Sequence, residues 1–195
     1  MEEQKEDMLE AAGLAAKLLE SRTIVISRHV DSELTAKVLN LLILLEQSDP
    51  DKMITIIINS PGGEVFSGFA IFDMLRFISC PIRTIVSGFA ASMGSILSLA
   101  APKGRRFIMP NAKVMIHQPL LTGYQGSVID CEIQAKQILK TRDKIIDIYC
   151  EATGKNYEEI KKALDRDNWL TAEEALAYGL IDKIIKTRKE LNEIQ

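Results

Sequence analysis

The sequence is poor in the residues that build metal sites and disulfide frameworks. Its 195 residues include only three cysteines and two histidines. The cysteines, Cys80, Cys131 and Cys150, are an odd number and form no CxxC pair. There is no HExxH motif and no His/Cys/Asp cluster at ligand spacing. We therefore expect neither disulfides nor a metal centre, and three free thiols suit a reducing compartment.

Long apolar runs and a strong charge of one sign are also missing. The net charge of −3 offers no basic surface for nucleic acid. The most apolar window, 85–101, is interrupted by serines and glycines, whereas a membrane helix needs about 20 mainly apolar residues. The acidic start, 1–7, lacks the positive region of a signal peptide. We therefore expect a cytoplasmic protein that binds neither nucleic acid nor a membrane.

The sequence does contain an alternation of apolar strands and amphipathic helices. Short β-rich runs at 23–26, 54–58 and 82–86 alternate with helical patterns at 33–46 and 67–77. This alternation predicts an α/β fold with parallel strands, and the length suits a single domain over 1–195.

The remaining elements are predicted with the same criteria. Further helices are expected at 7–21, 128–153, 157–164 and from the capping box Thr171–Glu174 to Gly179. Further strands are expected at 107–109, 113–116 and 180–185. Irregular structure is expected at 120–127 (extended or loop), 165–170 (connector) and 186–195 (a charged tail that frays).

Two glycine-rich corners, 61–63 and 88–94, each follow a predicted strand. Ligands of α/β folds bind beyond the carboxyl ends of strands, so both corners should lie on one rim of the sheet. Pro61-Gly62-Gly63 lacks the glycine spacing and the lysine of a P-loop, and no GxGxxG follows the first strand. Phosphate binding is therefore disfavoured.

The second corner carries Ser92 in the pattern Ala90-x-Ser92-x-Gly94. This is a nucleophile elbow with alanine where the commoner motif has glycine. A serine at such a strand-to-helix corner is held out by the turn, and nearby N–H groups can face a developing oxyanion. Taken alone the pattern is weak, because turns of small residues with a serine are mostly packing corners.

A serine is a poor nucleophile unless a base takes its proton, and histidine has a suitable pKa. His29 lies in a polar stretch and is predicted to be an exposed loop residue. His117 ends an apolar strand and is the candidate base. The base in turn needs an acceptor that fixes its tautomer. Many acids could serve; Asp167, beside Trp169, is one, and composition does not choose among them.

Five motifs occur in a fixed order along the chain, which makes the set specific although each motif is weak. They are 59–63 (NSPGG), 88–94 (GFAASMG), 115–119 (MIHQP), 123–126 (GYQG) and 165–167 (DRD). Together they resemble the ClpP family, the proteolytic subunits of the Clp protease. The resemblance covers roughly 18–185, nearly the whole chain.

The resemblance implies a serine peptidase with Ser92 as nucleophile, His117 as general base and Asp167 as the acid that orients it. It also implies that the backbone N–H groups of Gly63 and Met93 form the oxyanion hole. The Ser-His-Asp order differs from those of chymotrypsin, subtilisin and the α/β-hydrolases.

The family fold is a crotonase/ClpP-like spiral of β-β-α units with a protruding strand-helix handle. In this chain the handle matches about 120–153, and residues 1–17 form an N-terminal segment that precedes the peptidase fold. Family subunits form two stacked seven-membered rings, and Asp165 and Arg166 match an acidic-Arg pair of the ring–ring contact. An AAA+ unfoldase such as ClpX, ClpA or ClpC supplies unfolded protein to the chamber. Since that partner uses the ATP, no cofactor is expected in this subunit.

Three departures from the family pattern stand out. The segment 1–16 is acidic and reads as a helix rather than an axial loop. Thr55 and Ile57 stand where many members carry aromatic residues that line the unfoldase-docking pocket. The handle is one residue longer, at 120–123. These departures lead to the hypothesis of a divergent paralogue that pairs with a second, more typical subunit in a mixed barrel.

Two other functions remain open from the sequence. A catalytically silent or weakly active structural subunit is one, although all three triad residue types are present. A crotonase-type acyl-CoA enzyme is the other; it would use oxyanion-hole amides with carboxylate bases and would not need a Ser-His pair.

Overall fold

The computed structural model of the chain describes residues 13, 16–120 and 126–193. Most of the predicted first helix and the segment 121–125 of the predicted handle lie outside the described residues, although 16–20 are helical. The strands are β1 (Thr23–Ile26), β2 (Ile54–Ser60), β3 (Ile82–Ala91), β4 (Arg106–Ile108), β5 (Lys113–Ile116), β6 (Asn168–Thr171) and β7 (Lys183–Ile184). The helices named here are α1 (Ser32–Ser48), α2 (Val65–Phe77), α3 (Met93–Ser98), α4 (Val128–Thr153), α5 (Tyr157–Ala163), α6 (Ala172–Tyr178) and α7 (Arg188–Asn192).

The sheet is organised around β3, its longest strand within the described residues. Strands β1, β2, β3, β4 and β7 are neighbours in that order and run parallel. The first half of β3 pairs with β4, and its last residues pair with β5 instead. The α/β fold with parallel strands predicted from the alternation is confirmed.

Helices α1, α2 and α3 bury apolar side chains against this sheet. Asp31 begins α1, since its carboxylate accepts the N–H of Leu34 at 2.8 Å. One face of α1 is buried, as the period of its apolar residues requires. Every residue of α3 is buried, because this short helix contacts β2, β3, β5, α2 and α4. The helix that follows Ser92 is therefore held on several sides.

Three predictions in the last 31 residues of the chain were wrong. The connector 165–170 contains β6, which pairs antiparallel with β5. The strand predicted over 180–185 is formed only by Lys183 and Ile184. The tail does not fray throughout, since α7 begins after Thr187 and buries Leu191 against Ile85, Phe107 and Ile185. β6 and β7 pair with strands that lie far away in sequence, so local patterns do not reveal their limits. The start of α7 did carry a local signal that was overlooked, since Thr187 Oγ1 accepts the N–H of Glu190.

No helix of the described part of the chain is both long enough and apolar enough to cross a membrane.

A buried ion pair joins β4 to the turn before β7. Arg106 Nη2 donates to Asp182 Oδ1 at 2.5 Å, and the two side chains are 3% and 12% exposed. Asp182 also accepts the N–H groups of Gly104 and Arg106, and Arg106 donates to Ala152 O at the end of α4. Burial opposes ionisation of Asp182, but these hydrogen bonds outweigh it and hold the pKa of its carboxyl below its usual value.

We predict that Asp182→Asn destabilises the fold by about 3 kcal/mol at pH 7, because Arg106 is left buried without its counter-charge. Folding lowers the pKa of Asp182, so this stabilisation is present above the ordinary carboxyl pKa of 3.8 and is lost as pH falls through the folded value. Urea denaturation should show that the free energies of unfolding of the wild-type chain and of Asp182→Asn become more similar as the pH falls below 7. Asp51→Asn, at an exposed position, is the control. If the difference in unfolding free energy between the wild-type chain and Asp182→Asn stayed the same in acid, the stabilising role of the ionised Asp182 would be contradicted.

Candidate active site

The register of three strands brings Ser92, His117 and Asp167 together. Ser92 follows the last residue of β3, and its N–H donates to Met115 O on β5 at 2.9 Å. Ile116 is paired with Asn168 across the antiparallel β5–β6 ladder. His117 directly follows β5 and Asp167 directly precedes β6, so the two residues continue from the last pair of this ladder. Residues 25 and 50 positions apart thus meet at one end of the sheet.

The three side chains form a continuous hydrogen-bonded chain. His117 Nε2 lies 2.8 Å from Ser92 Oγ, and His117 Nδ1 lies 3.1 Å from Asp167 Oδ1. A carboxylate can only accept, so Nδ1 carries the proton and Nε2 is free to accept the serine proton. The imidazole is 14% exposed, whereas the Asp167 side chain is 65% exposed. The arrangement is chemically able to convert the Ser92 hydroxyl into a nucleophile.

Ser92 itself has an unusual backbone conformation. Its φ and ψ are 54° and −123°, and apart from Arg22 it is the non-glycine residue with positive φ in the described chain. The conformation turns the chain directly from β3 into α3 and holds the side chain at the corner. Such strain at a strand-to-helix junction is what a nucleophile elbow requires.

The glycine corner 62–63 lies against this serine corner. A Cβ on Gly62 would stand 2.8 Å from both Met93 N and Ser92 Cβ, and the φ of Gly62 is +85°. Only glycine fits such a close approach with positive φ. The prediction that the two corners share one rim is confirmed.

Two backbone N–H groups at this contact are available to a ligand. Val30 donates to Gly62 O and accepts from Glu64 N, so the N–H of the intervening Gly63 points away from Val30. Met93 is the first residue of α3, whose N–H has no partner within the helix. Within the described residues, neither the Gly63 nor the Met93 N–H donates a backbone hydrogen bond. Both are free to donate to a developing negative charge.

His29 is exposed, as predicted. Its ring nevertheless lies beside this corner, since Cε1 and Nε2 would be 2.8 Å from a Cβ on Gly63. This proximity was not predicted, because it depends on the parallel bridge between Val30 and Gly63. Within the described residues, no three histidine, cysteine or acidic side chains are grouped so that they could hold a metal ion.

Comparison with known proteins agrees with this geometry. The family model described as Clp protease matches residues 4–188. The chain belongs to the Clp protease family. Members of this family are serine-type endopeptidases, and this chain is an enzyme of that class.

Individual relatives cover nearly the whole chain. It is 54% identical over 175 residues to the ATP-dependent Clp protease proteolytic subunit 1 of Protochlamydia amoebophila, covering 89% of this chain and 85% of that protein. It is 48% identical over 176 residues to the subunit of that name from Chlamydia muridarum, covering 90% and 92%. The Chlamydia pneumoniae protein of that name is 46% identical over 176 residues, with the same coverage, 90% and 92%. The family resemblance inferred from five motifs is confirmed.

We predict that Gly62→Ala separates the two corners, because its Cβ would overlap Ser92 and the amide of Met93. Labelling of Ser92 by a fluorophosphonate, read by intact mass, should become at least about tenfold slower. Gly104→Ala is the matched control: its φ is +92°, but no atom lies within 4 Å of the added Cβ. Equal labelling rates for the two variants would show that the close approach is unimportant.

Proposed function

We propose that this chain is the serine endopeptidase subunit of a barrel-shaped ATP-dependent protease that cleaves unfolded polypeptides to short peptides. The observation that carries the proposal is the hydrogen-bonded series Ser92–His117–Asp167, with distances of 2.8 and 3.1 Å. Membership of the Clp protease family supports it, as do relatives whose names describe proteolytic subunits of an ATP-dependent protease.

In the proposed acylation step, Ser92 Oγ attacks the carbonyl carbon of the scissile peptide bond. His117 Nε2 takes the hydroxyl proton, and the carboxylate of Asp167 stabilises the imidazolium that forms. The carbonyl oxygen becomes an oxyanion that accepts hydrogen bonds from the N–H groups of Gly63 and Met93. These donors are already in place, so they stabilise the charge without reorganisation.

The tetrahedral intermediate then collapses and the peptide C–N bond breaks. The leaving amine takes the proton from His117 Nε2, which leaves an ester on Ser92. Water enters, gives a proton to the same nitrogen and attacks the ester carbonyl, so that the steps repeat with water in place of the amine. The carboxylic acid product leaves, and the proton returns to Ser92.

An extended substrate chain suits the glycine corner. The carbonyl of Gly63 points, like its N–H, away from Val30, because both groups of one residue lie on the same side of an extended strand. A polypeptide can therefore pair with this segment by strand addition, which recognises backbone rather than side chains. Such recognition fits an enzyme that cleaves many unfolded sequences.

The geometry favours this function over the two alternatives. A silent subunit would not need Ser92 in a strained conformation within hydrogen-bond reach of His117. An acyl-CoA enzyme on this fold would need a carboxylate base at the amides, whereas the side chain beside them is a serine with a histidine partner.

We predict that Ser92→Ala abolishes fluorophosphonate labelling of this chain and lowers its contribution to peptide cleavage by at least about 10⁴-fold. The measurement is intact-mass labelling of the assembled particle together with hydrolysis of a fluorogenic peptide. Ser87→Ala, a half-buried serine on β3, should leave both unchanged. Peptide cleavage that is unaffected by Ser92→Ala in a particle without a second subunit would refute the proposal.

Assembly into two stacked heptameric rings is part of the same proposal. Several large apolar side chains are exposed: Phe66 is 78% exposed, Phe77 81% and Val128 78%. Val128 opens α4, which belongs to the proposed handle region. Asp165 and Arg166, the pair assigned to ring–ring contact, are both exposed at the surface. These surfaces suit burial between subunits.

The surface assigned to unfoldase docking supports a mixed barrel. Ile57 lines a cavity of about 410 Å³ together with Ile85, Met109 and Leu191. Thr55 is buried and accepts a hydrogen bond from Arg83 Nε at 2.8 Å instead. The cavity thus has isoleucine at position 57, where many family members have an aromatic residue, and Thr55 does not line it. We propose that an AAA+ unfoldase of the ClpX, ClpA or ClpC type docks mainly on a second ClpP paralogue, and relatives named subunit 1 fit such a numbered pair.

We predict that the purified chain alone supports little unfoldase-driven degradation of a folded, tagged substrate, because its cavity lacks the aromatic walls. Adding the second paralogue from the same source should restore degradation and give mixed rings by native mass spectrometry. The control is hydrolysis of a short peptide, which does not require an unfoldase. Robust degradation of the folded substrate by the chain alone would contradict the mixed-barrel proposal.

A further inference from the structure

A buried pair of hydroxyls lies directly behind Ser92 and is not used by the mechanism. Ser95 on α3 and Tyr149 on α4 are each 1% exposed. Their oxygens are 2.5 Å apart, although 54 residues separate them in sequence. Burying two polar side chains costs free energy unless they are hydrogen-bonded, so this contact is a defined feature of the core.

The direction of the hydrogen bonds follows from counting protons. Ser95 has one hydroxyl proton, which it donates to the backbone carbonyl of Ser92 at 2.7 Å. The proton between Ser95 and Tyr149 must therefore come from the phenol. Burial raises the pKa of Tyr149 far above its usual value, so the phenol stays protonated and remains a donor. The series runs from Tyr149 through Ser95 to the Ser92 carbonyl.

That carbonyl shares a rigid peptide plane with a proposed oxyanion-hole donor. The peptide group between Ser92 and Met93 is planar and trans, so its C=O and N–H point in opposite directions. Holding the Ser92 oxygen on the Ser95 side therefore directs the Met93 N–H to the opposite side, away from Ser95. Ser92 has a positive φ, which is unfavourable for a non-glycine residue, so contacts with other residues must hold the peptide plane in this orientation.

We propose that Ser95 and Tyr149 are positioning residues, which orient the Ser92–Met93 peptide plane so that the Met93 N–H faces the oxyanion. The proposal rests on the proposed function, because it assumes that Ser92 is the nucleophile. The N–H groups of Ser95 and Ile96 also reach the Ser92 oxygen, at 3.0 and 3.4 Å. Losing the hydroxyl of Ser95 or Tyr149 therefore makes the Ser92–Met93 peptide plane less firmly held but does not remove the Met93 N–H. We expect the rate of reaction at Ser92 to fall about tenfold.

The test is the reaction of Ser92 with a peptidyl fluorophosphonate in the assembled particle, followed by the intact mass of this chain. In this reaction a phosphoryl oxygen occupies the oxyanion position, so kinact reports on the amides while KI reports on binding. Ser95→Ala and Tyr149→Phe should each lower kinact about tenfold and leave KI within about twofold. The double variant should be no slower than Ser95→Ala, because Tyr149 acts through Ser95. The acid limb of the pH profile should not move, because His117 is untouched.

Ser98→Ala is the matched control. Ser98 is a fully buried serine on the same helix, and its hydroxyl donates to Ser95 O at 2.7 Å rather than to the Ser92 carbonyl. It should lower the melting temperature about as much as Ser95→Ala and leave kinact within about twofold. Tyr149→Phe keeps the ring and removes only the hydroxyl, so it tests the same series if Ser95→Ala assembles poorly.

Unchanged kinact in both hydroxyl variants, or an equal loss in Ser98→Ala, would overturn the proposal and leave Ser92 chemistry intact. A wild-type chain whose Ser92 is never labelled, in any assembly state, would overturn the proposed function and this inference with it.

Discussion

The site depends on one constraint, the pairing of β3 with two different neighbours along its length. Its first half is held by β4 and its last residues by β5, and the chain then turns into α3 at Ser92. The hydrogen bond from Ser92 N to Met115 O anchors Ser92 to the strand that leads to His117. If β5 paired elsewhere, neither His117 nor, through β6, Asp167 would reach the serine.

Close backbone packing around this junction explains why small residues are found there. Gly62 lies against the Ser92 corner, and a Cβ on Gly94 would lie 2.8 Å from the carbonyl oxygen of Ser60. Two loops that follow adjacent strands can then place their amides side by side. The same packing buries α3, whose serines satisfy backbone carbonyls inside the core. Hydrogen bonds of the buried α3 serines thus help to hold the backbone at the Ser92 corner.

Local signals predicted the helices well. The long helix 128–153 is confirmed to the residue, because the Ser127–Asp130 capping box begins α4 and Gly154, with φ +76°, ends it. The helix after Thr171 is confirmed for the same kind of reason. These signals act within a few residues, so a single sequence contains all the information that they need.

Strands without such signals were missed or misjudged. β6 carries an exposed Trp169 and polar neighbours, and it is a strand only because β5 lies beside it. β3 continues past Ser87 and Gly88, which local propensity assigns to a turn, because its next residues, 89–91, find partners on β5 and at Ser60 of β2. The buried contact of Ser95 with Tyr149 left no pattern in the sequence, since the two residues lie on different helices.

The sequence by itself determined the fold class, the family and the kinds of residue available for chemistry. Motif order and residue type are local or linear properties, and they can be read without coordinates. Spacing alone left the acid open, and the resemblance named Asp167. Only the tertiary structure decided that this carboxylate meets His117, that Ser92 adopts positive φ, and that Gly62 lies against the amide of Met93. Those outcomes depend on strand register and on contacts between distant segments, which no local pattern encodes.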